Sequence, residues 1–209
     1  LMTDVTYQDI QNKVTALRGF AELSRDRKNE QDRNAVIDRQ MEILETIQVL
    51  IKNTKDYLKM GMVHSRWIRL EESIRMQMSL QSQKHSVSLS CDLQGLEIFT
   101  DPLIARVFYN LIHNAIRHGR SVTRISFTCQ DSPAGLILVC EDDGVGIPPD
   151  QKPFIFDRIP GGEGKFGLFF VREFLTLSGM TIVETGIPGH GARFEIALPP
   201  GMYRFPGSR

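Results

Sequence analysis

The sequence predicts an α+β protein: an N-terminal antiparallel helical hairpin, half of a dimeric four-helix bundle, followed by an α/β sandwich with a mixed, mostly antiparallel sheet. Three observations lead there. Two long amphipathic stretches fill residues 4–60 with only a short polar break between them. From "GMVHSRWIRL" onward the texture changes to short helices and strands in mixed order. Glycine clusters then punctuate the C-terminal half at several places. The expected division is residues 1–62 and residues 63–209.

The first helix covers about residues 4–27, with Ile10, Val14, Leu17 and Phe20 or Ala21 recurring on one face. After "KNEQDRN" a second helix covers about residues 33–60. Its apolar positions, Val36, Ile37, Met41, Leu44, Ile47, Leu50, Ile51 and Leu58, form a wide stripe suited to burial against other helices. A second copy completing a four-helix bundle would cover it, as would the chain's own C-terminal domain; the dimer is the expectation. Residues 71–83 read as a helix, and "SVSLSCDL" and "LEIFT" as short strands with a turn at Gly95. "DPLIARVFYNLIHNAIRHG" reads as a helix with Asp101 at its N-cap and Pro102 at its first position. "VTRISFTCQD" and "GLILVCEDD" pair around the turn "SPAG". A loop rich in Pro and Gly fills about residues 144–166, "GLFFVREFLTLSG" is a helix, and "TIVETG" with "ARFEIAL" closes as a hairpin. One sheet with helices on one face accommodates this order.

Composition narrows the function. The 25 basic and 25 acidic residues balance, so no overall field favours nucleic acid or an anionic membrane. No apolar run approaches the roughly 18 residues of a membrane span, and Asp4, Gln8 and Asp9 interrupt any signal-peptide core. Cys91, Cys129 and Cys140 are odd in number and far apart, which fits reduced thiols of a cytoplasmic protein better than a disulfide or zinc framework. Opening on "LMTDV", the chain reads as a piece of something longer.

Five stretches carry candidate chemistry. Gln8, Asp9 and Asn12 set a polar cluster near the start of the first helix. In "EDDGVGIP" an acidic residue ends an apolar strand; Asp142 can accept a hydrogen bond from an exocyclic amine, and Gly144 and Gly146 allow close backbone approach to a flat ligand. In "NLIHNAIRHG", Asn110 and Asn114 share a helix face with Arg117 and His118 one turn on. Asn oxygens suit Mg²⁺, which arrives with phosphates that Arg117 and His118 could contact. "GGEGKFGLFFV" opens a helix with glycines whose backbone amides can hold phosphate oxygens. "GHGARF" is a tight turn into a strand through Gly189 and Gly191.

Taken in this order, these stretches resemble the ATP-binding domain of sensor histidine kinases, within the superfamily that includes gyrase and Hsp90-type ATPases. "NLIHNAIRHG" looks like the N box, "DDGVGI" the G1 box, "PFIFDRI" the F box, "GGEGKFGL" the G2 box and "GHGARF" the G3 box, over about residues 67–200. The resemblance implies ATP and Mg²⁺ as cofactors, Asn114 as the metal ligand, Asn110 supporting the phosphates and Asp142 binding the adenine amine. It implies that Phe156 belongs to a mobile lid, and that Gly162, Gly164, Lys165, Gly167 and Leu168 close over the triphosphate. The upstream hairpin is similar to a dimerisation and phosphotransfer domain. It implies a response-regulator receiver domain as partner, and a homodimer or a heterodimer with a kinase that bears the His.

Two departures stand out. The family's first helix carries a His followed by an acidic residue, often as "HDxxN"; here the segment is "QDIQN". Asp9 and Asn12 match, but Gln8 holds the acceptor position and Tyr7 replaces a basic residue. An amide nitrogen is neither basic nor nucleophilic, so Gln8 cannot take a phosphoryl group as imidazole does. In the G2 box, Lys165 stands where a Gly is usual. A histidine protein kinase-type transferase that cannot phosphorylate itself is the expectation. The alternative is an ATP-binding pseudokinase scaffold, or a response-regulator phosphatase that uses Asn12 to orient water.

Overall fold

A computed structural model describes residues 2–26, 30–60, 62–81, 87–157 and 166–207. The chain divides into two compact units, one carrying the first two helices and the other everything described from Met60 on.

In the first unit, α1 (Met2–Asp26) and α2 (Glu30–Leu58) pack side by side as a hairpin. At 25 and 29 residues they extend roughly 37 and 43 Å. The apolar stripe of α2 splits in two. Val36, Ile43 and Ile47 are buried, whereas Ile37, Leu44, Ile51 and Leu58 recur every seventh residue on an exposed face together with Met41. No helix among the described residues is long and apolar enough to cross a membrane.

The second unit runs β1 (Arg66–Arg69), α3 (Leu70–Gln81), β2 (Ser88–Asp92), β3 (Glu97–Thr100), α4 (Ile104–His118), β4 (Arg124–Ser132), β5 (Gly135–Asp142), a single 3-10 turn at Lys152–Phe154, α5 (Phe166–Leu177), β6 (Thr181–Glu184), β7 (Arg193–Leu198) and β8 (Tyr203–Arg204). The main sheet has the order β2-β4-β5-β7-β6. All its pairs are antiparallel except β2–β4, which is parallel and needs the crossover through α4. The expected "SPAG" and closing hairpins form, with Ser132 opposite Gly135 and Glu184 opposite Phe194. Inward side chains of this sheet meet the apolar faces of α3, α4 and α5 in one core; Phe108 of α4 stands edge-on to Phe127 of β4 at 5.9 Å.

Three expectations change. Among the described residues there are two sheets: β1, β3 and β8 form a separate three-stranded antiparallel one. Although Gln94 and Gly95 make a tight left-handed turn, the strands flanking it do not pair with each other. Leu93 and Leu96 on either side are both fully buried, so the chain folds inward there and each strand finds its partner elsewhere. β1 and β8 have four and two residues, too few for alternation to reveal them. Finally, α4 begins at Ile104; Asp101 still caps its entry, Oδ1 accepting the Leu103 N–H at 2.8 Å, but Pro102 and Leu103 form a preceding turn.

Candidate functional site

β5 is apolar because Leu136, Leu138 and Cys140 face the core and Val139 is buried on the other side, and it delivers Asp142 to the end of the sheet. There the chain must leave the strand, and the carboxylate organises the exit. Asp142 Oδ1 accepts the N–H of Gly144 at 2.9 Å and the N–H of Ala192 at 3.2 Å. Both hydrogen bonds fall on Oδ1; among the described residues Oδ2 accepts none, which leaves it to a donor from outside. Partial burial holds this carboxyl above the usual carboxylate range, against the lowering effect of those two backbone donors.

Glycines are required here by space. A Cβ on Gly144 would stand 2.7 Å from Gly119 Cα. Gly146 has φ +70°, and its Cβ would stand 2.8 Å from the Gly191 carbonyl oxygen. Gly191 has φ +103° and lies directly on the Asp142 carbonyl. Gly189, at φ +85°, faces open space and is needed for its backbone conformation alone; its N–H donates to Val145 O at 2.8 Å.

The C-terminus of α4 abuts this turn, since the Val145 N–H donates to Gly119 O at 3.3 Å. That contact brings the Asn-bearing helix beside Asp142. Along α4, Asn110 is buried, Asn114 is half-buried, and Arg117 and His118 are exposed. Partial desolvation of its ring against the helix surface, and then the adjacent Arg117, lower the His118 pKa. At the start of α5, Gly167 sits against Asn110; an added Cβ would be 3.2 Å from Asn110 Oδ1. Leu168 packs partly buried on the core. Phe156 also packs on the core, edge-on to Phe194 at 6.3 Å, at the base of the segment expected to be a lid. Gly162, Gly164 and Lys165 lie outside the described residues.

Gln8, Asp9 and Asn12 fall on α1 in the other unit. Gln8 and Asn12 are exposed and Asp9 is half-buried.

Sequence reasoning missed two groups. Of the adjacent acids, Asp143 turns away from Asp142: Oδ1 accepts the N–H groups of Thr123 at 2.8 Å and Arg124 at 3.0 Å, and Oδ2 accepts the Thr123 hydroxyl. The Thr123 hydroxyl, then the Arg124 amide, hold its pKa at about 2. A depressed folded-state value means that its contribution is present above the ordinary carboxylate pKa of about 4 and disappears as pH falls toward 2. Urea unfolding of Asp143→Asn should therefore show a smaller drop in stability between pH 5 and pH 2.5 than the parent; an equal drop would remove Asp143 from this role. The second missed group is the ion pair between Lys152 and Glu184. Nothing in "TIVETG" marks Glu184 as turned inward.

The family model for histidine kinase-, DNA gyrase B-, and HSP90-like ATPases matches residues 100–202. The chain is 28% identical over 208 residues to sensor protein KdpD of Escherichia coli, a match spanning 91% of this chain and 23% of KdpD. It is 36% identical over 102 residues to the alginate biosynthesis sensor protein KinB of Pseudomonas aeruginosa, spanning 46% of this chain and 17% of KinB. The chain thus spans about a fifth of the length of these relatives. Among solved structures, the Acinetobacter baumannii histidine kinase AdeS superposes with a TM-score of 0.68 at 17% identity, covering 91% of this chain and 96% of that one. Histidine kinase ThkA, in complex with response regulator protein TrrA, superposes with a TM-score of 0.66 at 20% identity, covering 95% of this chain and 60% of that one. These two structures share the fold.

Proposed function

We propose, from the match of residues 100–202 to the histidine kinase-, DNA gyrase B-, and HSP90-like ATPase family, that this chain is the Mg-ATP-binding core of a sensor histidine kinase in two-component signalling. The observation that carries the reading is Asp142. One carboxylate oxygen is held by two backbone donors and the other accepts none among the described residues, next to the C-terminal end of α4, the helix that carries Asn110 and Asn114. That arrangement suits an adenine amine, which needs a single fixed acceptor.

The residues present fit the remaining groups. No cluster of three His, Cys, Asp or Glu side chains among the described residues could hold a metal. Half-buried Asn114 offers one hard oxygen, which suits a Mg²⁺ that arrives with phosphates and keeps most of its other ligands. Arg117, exposed one turn on, presents a fixed positive charge to the same face. ATP, when bound, would supply the γ-phosphoryl group; Asn110 and Asn114 would orient it and Arg117 would offset its charge.

Gln8 has no nitrogen able to accept that group, so this position is not the phosphoryl acceptor, and in this reading a partner hairpin supplies the His. The exposed heptad of Ile37, Leu44, Ile51 and Leu58 supports pairing of the hairpin with a second one, either a copy or a relative that carries the His. A response-regulator receiver domain is the downstream partner in this reading. The test is incorporation of label from γ-labelled Mg-ATP into the parent and its Gln8→His variant. Acid-labile label on the variant alone is the expected result; no label on either folded chain would reject phosphotransfer.

One observation favours a second reading. Asn12 is exposed one turn after Gln8, where its amide could orient water against a receiver's aspartyl phosphate. A phosphatase of this kind should lose its activity in Asn12→Ala and retain it in Gln8→Ala; the reverse pattern would exclude Asn12.

A further inference from the structure

We infer that the Lys152–Glu184 ion pair is a positioning device for the nucleotide site, holding the loop that in turn holds Asp142; the inference rests on the ATP-binding reading above. The Glu184 side chain is 1% exposed at the end of β6 and Lys152 is 23% exposed in the 3-10 turn after the Gly-x-Gly segment. Their charged atoms lie 2.7 Å apart, Lys152 Nζ to Glu184 Oε2. Burying such a pair is costly, so it persists where the surroundings use both partners. They do. Glu184 Oε1 accepts the N–H of Gly186 at 3.0 Å and the N–H of Arg193 at 3.2 Å, which are the two ends of the loop over residues 186–193. Lys152 Nζ donates to the carbonyl of Gly186 as well.

One buried carboxylate therefore closes that loop, and one ammonium ties it to the segment following Gly146. The loop acts directly on the ligand-facing residue. Ala192 N–H donates to Asp142 Oδ1, Asp142 N–H donates to Ala192 O at 3.0 Å, and Gly191 rests on the Asp142 carbonyl. If the loop shifts, Oδ1 loses one of its two donors and Oδ2 loses its direction. Neither Lys152 nor Glu184 is hydrogen-bonded to Asp142 or belongs to its Gly-x-Gly turn; the Glu184 charge adds a minor push on the Asp142 carboxyl, and the pair's hold on its position runs through residues 186–192.

Titration of the parent, Lys152→Met, Glu184→Gln, Lys152→Arg and the Lys152→Met/Glu184→Gln double variant with Mg-ATP and with adenosine tests this, alongside nucleotide-free melting temperatures. Each neutralising single variant should bind about tenfold more weakly, the effect of losing one hydrogen bond's worth of positioning. The loss should be equal for Mg-ATP and adenosine, because the tie serves the adenine side. Lys152→Arg, which keeps the charge, should restore most of the affinity. Should a single variant fail to fold, the double variant, which leaves no unpaired buried charge, decides the matter: parental affinity in a folded double variant overturns the inference. So would a loss confined to Mg-ATP, or one that Lys152→Arg does not recover. A folded parent that binds neither ligand would instead overturn the ATP-binding reading, and this inference with it.

Discussion

Replacing Gly191 with alanine is expected to destabilise the second unit by about 3–5 kcal/mol, the range for overpacking added to backbone strain. At φ +103° an L side chain is already strained. The added Cβ would overlap the Asp142 carbonyl oxygen and lie 2.8 Å from the Asp142 carbonyl carbon. These are backbone atoms, so no rotamer change relieves the clash; the 186–193 loop or the end of β5 must move. Either movement disturbs Asp142, and nucleotide affinity should fall with stability. Gly189→Ala is the control. Its φ is +85°, but its Cβ would meet nothing within 4 Å, so only the left-handed backbone penalty of about 1–2 kcal/mol applies. Urea unfolding of both variants measures the difference. Equal losses at the two positions would show that the contact with Asp142 contributes nothing.

The second large effect is on binding. Asp142→Asn should weaken Mg-ATP binding by about 1.5–3 kcal/mol, the range for a hydrogen bond to a charged group, or about ten- to hundredfold. Asparagine has the same shape and keeps one acceptor oxygen, which can go on receiving the Gly144 and Ala192 amides. Its amide nitrogen then stands where Oδ2 was and presents a donor to a donor. Folding stability should stay within about 1 kcal/mol of the parent, since the structural oxygen is retained. Asp142→Ala would lose both functions at once and could not separate them. Calorimetry showing unchanged affinity for the Asn variant would remove the adenine contact.

The site was legible in the sequence to the extent that local rules govern it. Asn110, Asn114, Arg117 and His118 are placed on one helix by spacing alone, and the helix exists because Val107, Phe108, Leu111, Ile112 and Ala115 alternate with them as its buried face. The Gly-x-Gly pairs are readable because non-glycine residues rarely take positive φ. The choice between Asp142 and Asp143 had a weaker basis. Both follow an apolar strand, and their opposite roles depend on Thr123 and Arg124 from one side and Ala192 from the other. Lys152 and Glu184 were invisible for the same reason: 32 positions separate partners whose attraction depends on shared burial.

What the sequence determined by itself is therefore the set of elements with strong periodicity, the positions that demand glycine, and the absence of a basic nitrogen at Gln8. Each of these is a property of a residue and its near neighbours along the chain. The tertiary structure alone decided that the β2 and β3 strands enter different sheets. It also decided that the α2 stripe divides into a buried row and an exposed heptad, and that Asp142 keeps one oxygen free while Asp143 keeps neither oxygen unbonded. Those outcomes depend on which distant groups compete for the same buried space and the same backbone donors. That competition is settled only when the core closes, because hydrophobic burial is non-directional and hydrogen bonds must then be satisfied by whatever it brings together.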